Sequence, residues 1–140
     1  MTNAPSHLMT YGSLMQATGM QQKLGVAPQL AFEAPCHVHG RLYDLGDFPG
    51  AVPVQEGAGD DEDATVQGEL YRLRSTNVLT RIDQYEGYDP NRESASLFVR
   101  RPVIAKPMDI RAWIYWYNGS VDGVPVVESG QWPAGHQGAA

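Results

Sequence analysis

The run Ser75-Thr-Asn-Val-Leu-Thr-Arg-Ile-Asp-Gln-Tyr-Glu-Gly-Tyr88 holds a carboxylate where an apolar residue is expected. Val78, Leu79, Ile82 and Tyr85 recur at helical spacing and make one apolar face. Thr80, Arg81, Asp83 and Gln84 fall outside that face, whereas Glu86, four residues after Ile82 and seven after Leu79, falls inside it. Burial disfavours an ionised carboxyl and raises its pKa, and the negative end of a helix pushes the same way. A glutamate tuned upward exchanges protons near neutral pH, which is what general acid–base catalysis requires. The plainer alternative is that the stripe ends one turn early, with Glu86 leaning into solvent or pairing with Arg81 or Arg92.

A second group is Tyr11-Gly-Ser-Leu14. Gly12 permits a ligand to approach the backbone closely, and the N–H groups after it could cradle an anion such as a carboxylate or an oxyanion. The same residues also suit an ordinary turn. His37 and His39 lie two apart on one strand face. A metal site takes three or four protein ligands, so the pair reads as a half-exposed face and no metal is expected. Cys36 stands in no motif, and Ser13 is outside any Gly-x-Ser-x-Gly elbow. Trp113, Tyr115 and Tyr117 share one face of a strand, a pattern typical of core, with Tyr115 or Tyr117 able to offer a hydroxyl to a pocket.

The elements that must position these residues follow from periodicity and breakers. The stretch from His7 reads as a first strand ending at Gly12, and Met15 to Leu24 as one short or irregular helix interrupted by Gly19. Leu30 to Leu45 is the longest β-like stretch, with Pro35 marking an interruption or an edge. Gly46 to Gly50 is a turn, Ala51 to Val54 a short strand at most, and Glu56 to Asp63 a solvated acidic loop. Thr65 to Leu73 alternates as a strand. The helix behind Glu86 begins with Ser75 or Thr76 as cap and stops at Gly87. Ser96 to Ala105 and Arg111 to Asn118 form an antiparallel hairpin around Lys106 to Asp109. Beyond Gly119 the chain is rich in Gly and Pro, with Trp132 as anchor. Many strands without βα alternation point to α+β, and glycines at bends to a closed or nearly closed sheet.

Composition narrows the function classes. A chain of 140 residues is read as one domain, 1–140, with its ordered core at about 7–132. Ten Lys+Arg against sixteen Asp+Glu give a net charge of −6. That balance argues against nucleic acid and against anionic membranes. One cysteine permits no intrachain disulfide and no cysteine zinc cluster, and it fits a cytoplasmic setting. No basic-then-apolar leader and no membrane-length apolar run are expected.

Several stretches together resemble the γ-glutamylcyclotransferase-like family, in particular its γ-glutamylamine cyclotransferase branch. They are Tyr11-Gly-Ser-Leu14, Gly40-Arg-Leu-Tyr-Asp-Leu-Gly46 with Pro49, Gly68-Glu-Leu-Tyr71, Ile82-Asp-Gln-Tyr-Glu-Gly-Tyr88, Phe98-Val-Arg100, Ala112-Trp-Ile-Tyr-Trp-Tyr117 and Ser129-Gly-Gln-Trp132. The resemblance runs from about Leu8 to Trp132. It implies a small mixed β-barrel with a few peripheral helices. It also implies a cleft between the Tyr11 loop and the Glu86 segment, with Glu86 as general acid/base. Tyr11, Gly12, Ser13 and Leu14 would hold the γ-glutamyl part, largely through backbone groups. The implied reaction cyclises a γ-glutamyl amine or amino acid to 5-oxoproline and releases the amine, with no cofactor. Where the family usually has Tyr, this chain has Phe98. The rival reading is a non-catalytic module of the same fold that binds a small ligand.

Overall fold

The computed structural model describes residues 4–12, 14–15, 18–54 and 64–132. The elements are β1 (His7–Thr10), α1 (Met20–Leu24), β2 (Leu30–His39), β3 (Arg41–Asp44), β4 (Pro49–Val52), β5 (Thr65–Leu73), α2 (Val78–Glu86), β6 (Phe98–Ala105) and β7 (Ile110–Tyr117). Five strands form one sheet in the order β2-β5-β1-β7-β6, and β3 pairs with β4 separately. Neighbouring strands run antiparallel except β1 and β7, which are parallel and meet at Leu8 and Trp113. The chain is therefore α+β, as its pattern of elements implies.

The sheet is buried on both faces. Along β7, Ala112, Ile114 and Trp116 join one core with Val38, Leu42, Val66 and Trp132. Trp113, Tyr115 and Tyr117 alternate to the other face and pack with Leu8, Leu79, Ile82 and Phe98. The period-2 geometry of a strand accounts for this division. It places the aromatic stripe of β7 beneath α2.

The expected barrel is not closed. Between the edge strands β2 and β6 there is one isolated bridge, in which the His37 N–H donates to Lys106 O (3.0 Å) and the Lys106 N–H to His37 O (2.8 Å). Each of these edges carries a proline. Pro35 lies on β2 and Pro102 on β6, and neither has an N–H to give a further strand. A register shift between Phe32 and Ala34 also bends β2.

Other boundaries moved for local reasons. The stretch from Leu30 divides at Gly40 into β2 and β3. A Cβ at Gly40 would lie 3.0 Å from the Val52 carbonyl oxygen and 3.1 Å from the Trp116 ring. The helix expected from Met15 shrinks to α1, which begins after Gly19 in the left-handed region (φ 74°). The acidic run 56–63 lies outside the described residues. Among the described residues, no helix is long and apolar enough to cross a membrane.

Candidate active site

Glu86 is the last residue of α2, and Gly87 ends that helix in the left-handed conformation (φ 71°). The Gly87 N–H donates to Gln84 O and the Tyr88 N–H to Asp83 O, which satisfies carbonyls a helix end leaves open. At the other end the cap position is Asn77, not Ser75 or Thr76 as expected, and it makes no side-chain cap bond. Ser75 instead accepts the Asn77 N–H on its Oγ at 3.2 Å, a tight local turn that delays the helix. Val78, Leu79 and Ile82 are buried, so the apolar stripe faces the sheet and carries Glu86 with it.

The stripe ends in a cleft. Its lining includes Met9, Thr10, Tyr11, Gly12, Leu14, Phe48, Pro49, Tyr85, Glu86, Leu97, Phe98 and Tyr115, and it encloses about 560 Å³ with its open mouth counted. Glu86 is half-buried as a residue. Desolvation, followed by the negative charge of Asp83, raises its carboxyl to about 8. Neither Arg81 nor Arg92 neutralises it. The Arg81 guanidinium donates to Leu24 O at 3.0 Å, and the ion pairs among the described residues do not include Glu86.

Of the four residues expected opposite Glu86, three line the cleft: Tyr11, Gly12 and Leu14. Ser13 lies outside the described residues. The Tyr11 hydroxyl is a strut: it donates to Tyr115 O at 2.6 Å and accepts the Ala51 N–H at 3.2 Å. It therefore ties the end of β1 to β7 and β4. Gly12 packs so closely on β4 that an added Cβ would lie 2.9 Å from Pro49 Cγ. The Met15 N–H donates to Gly12 O at 3.1 Å, closing a turn. Gln21 of α1, buried, donates through Nε2 to Leu14 O at 2.6 Å. This amide fixes the loop, and its polarity on a weakly periodic helix had given no sign of that.

Sequence reasoning also missed Asp83, which fell outside the apolar stripe yet is buried. Its Oδ1 accepts Arg100 Nε at 2.8 Å and the Tyr115 hydroxyl at 2.6 Å, and its Oδ2 accepts Arg100 Nη2 at 3.1 Å. Arg100 lies 4.5 Å from the centre of the Trp113 ring and 5.7 Å from that of Tyr88. A signal was present: Arg100 is in phase with Phe98 on an alternating strand, so it needed an acid on the facing helix. Burial and the Asp83 bond hold the Tyr115 phenol protonated, its pKa pushed well up. The histidines stand elsewhere, His37 half-buried and His39 exposed. Among the described residues no group of three or more His, Cys, Asp or Glu could hold a metal ion.

Known proteins share this arrangement of chain. Residues 8–134 match the family described as "Gamma-glutamyl cyclotransferase, AIG2-like". The γ-glutamylcyclotransferase family protein YtfP of Escherichia coli K12 is 36% identical over 92 residues, 66% of this chain and 66% of that protein. The solution structure of ytfP from Escherichia coli covers 90% of this chain and 95% of its own, with a TM-score of 0.60 and 26% identity. The crystal structure of a mouse AIG2-like protein covers 94% and 90%, with a TM-score of 0.68 and 14% identity, a likeness of fold alone. With nearly the whole described sheet and both walls of the cleft inside the matched span, the chain belongs to the γ-glutamyl cyclotransferase, AIG2-like family.

Proposed function

We propose that this protein is a γ-glutamyl cyclotransferase that converts a γ-glutamyl amine or amino acid to 5-oxoproline and releases the amine, with Glu86 as general acid/base. The observation that carries the reading is the Glu86 carboxyl itself, raised to about 8 in a cleft where the neighbouring charge that acts on it is negative. A substrate α-ammonium supplies the missing positive charge. Its approach favours the carboxylate, which then takes a proton from the ammonium. The freed amine attacks the γ-carbonyl carbon of the same molecule, and a C–N bond forms as the carbonyl oxygen takes up negative charge. The protonated Glu86 then returns its proton to the departing nitrogen as the oxyanion re-forms the carbonyl and the old C–N bond breaks. The ring nitrogen, which carries two hydrogens after attack, gives one of them to the released amine, which leaves as an ammonium. Because nucleophile and electrophile share one molecule, holding the chain curled supplies much of the rate.

The loop from Tyr11 to Leu14 serves as the opposite jaw, and its contribution is backbone, since the Tyr11 hydroxyl is already committed. The chemistry invokes no redox group and no metal. A panel of γ-glutamyl amines and γ-glutamyl amino acids, assayed for 5-oxoproline with the unmutated protein and with Glu86→Gln, tests the reading. Release by the first and not the second is expected. If no compound reacts and one still binds, a ligand-binding module replaces the enzyme.

A further inference from the structure

Tyr115 is in the wall of the cleft and its hydroxyl is already a donor. The bond to Asp83 Oδ1 is 2.6 Å long. A phenol has a single hydrogen to give, and an ionised carboxylate can only accept, so the direction of this bond is fixed by chemistry. Asp83 is itself held: both of its oxygens receive Arg100 nitrogens, at 2.8 and 3.1 Å, and the guanidinium packs over Trp113. The Tyr115 oxygen therefore has lone pairs to offer a ligand and no proton. Glu86 stands one helical turn beyond Asp83 and acts electrostatically on the Tyr115 hydroxyl. The other phenol within its reach, Tyr11, has its hydrogen directed to the Tyr115 carbonyl.

We infer that Tyr115 Oη and Glu86, whose carboxyl is ionised as the ammonium arrives, form an acceptor-only seat for the substrate α-ammonium, with Asp83, clamped by Arg100, as the positioning residue that turns the Tyr115 hydrogen away from the cleft. The identity of the cation rests on the γ-glutamyl reading above; the direction of the hydrogen bond does not. A seat of this kind rewards a free ammonium and repels a donor-poor replacement. It selects on the amine end of the ligand, independently of what leaves from the γ-carbonyl.

The test compares two probes at pH 7 by calorimetry: L-glutamine, and glutaramic acid, which is the same molecule without the α-amine. The unmutated protein is expected to bind L-glutamine more tightly. Tyr115→Phe, which deletes one atom, should cut that preference at least fivefold. Asp83→Asn should cut it as well although the phenol remains, because an amide N–H can donate to Tyr115 and release its hydrogen into the cleft. A preference unchanged in both variants, or absent from an unmutated protein that forms 5-oxoproline, overturns the seat while leaving the enzyme reading intact. Loss in Tyr115→Phe alone keeps the seat and removes Asp83 from it. Binding of neither probe, with no 5-oxoproline from any γ-glutamyl compound, defeats the γ-glutamyl reading and the seat with it.

Discussion

Asp83 and Glu86 are neighbours one turn apart on α2 in opposite electrostatic situations. Asp83 receives three hydrogen bonds from Arg100 and Tyr115. Glu86, three positions on, is raised by burial and by the charge of that same Asp83. One carboxylate is thus held by three donors, and the other is kept ready to be neutral. Groups whose surroundings differ in this way take different roles.

Glu86→Gln should keep the fold and lose turnover by about 10²–10⁴-fold, the usual worth of general acid–base catalysis. Gln has nearly the same shape but cannot take the ammonium proton and return it. Steady-state 5-oxoproline release, with KM and kcat separated, reads the difference; an unchanged kcat would remove Glu86 from the chemistry.

Stability should show the same group. The folded carboxyl, near 8, lies above its ordinary value of 4.5. Between those two values the folded state holds a proton that the unfolded chain has lost, so the Glu86 contribution to stability falls as pH rises through that window. Glu86→Gln removes the effect. Its Tm should exceed that of the unmutated protein at pH 9, and the gap should close by pH 4.5.

The pH profile of kcat/KM reports the free protein. Below about 8 Glu86 is protonated, and so is the substrate amine, leaving one proton too many for cyclisation. The rate should therefore rise with pH on the acid side and level off near 8. A profile flat from pH 5 to 8 would contradict the assignment.

Asp83→Ala leaves the Arg100 guanidinium unpaired in a setting where its side chain is 17% exposed. Breaking one side of such a pair costs about 3–5 kcal/mol. Removing both in Asp83→Ala/Arg100→Ala should cost less than the sum of the singles, a coupling that urea denaturation can read.

Thr10 makes the contrary case. It is 5% exposed, and its Oγ1 is buried without a hydrogen-bond partner. Thr10→Val, close in shape, should be neutral or stabilising by up to about 1–3 kcal/mol, the penalty of a buried unsatisfied polar group. Chemical denaturation decides; a loss of stability would mean the hydroxyl has a favourable role.

Periodicity made some of this legible. The strand Thr65–Leu73 and the hairpin of β6 and β7 could be read because alternation reports a face directly. The stripe placed Glu86 toward the sheet for the same reason. Asp83 was not legible from its own helix, because a pattern of polarity does not record the partner; the signal lay seventeen residues away, in Arg100 on another element. The sheet's closure was half legible: glycine bends suggest a closed or nearly closed sheet, but whether two edges pair depends on a register between distant strands, here a single bridge from His37 to Lys106.

The bond from Tyr11 to the Tyr115 carbonyl spans 104 positions of chain. Between its ends, β1 sits in the middle of the sheet with β5 on one side and β7 on the other. During synthesis the first strand therefore waits for the last, and until β7 arrives the cleft lacks Tyr115 from its wall. Pairing over such separations is slow, because loop closure must precede any reward from contact. The cleft is thus a marker of completed folding: a partly made chain can wind α2 locally, but it cannot bring Glu86 and Tyr115 together.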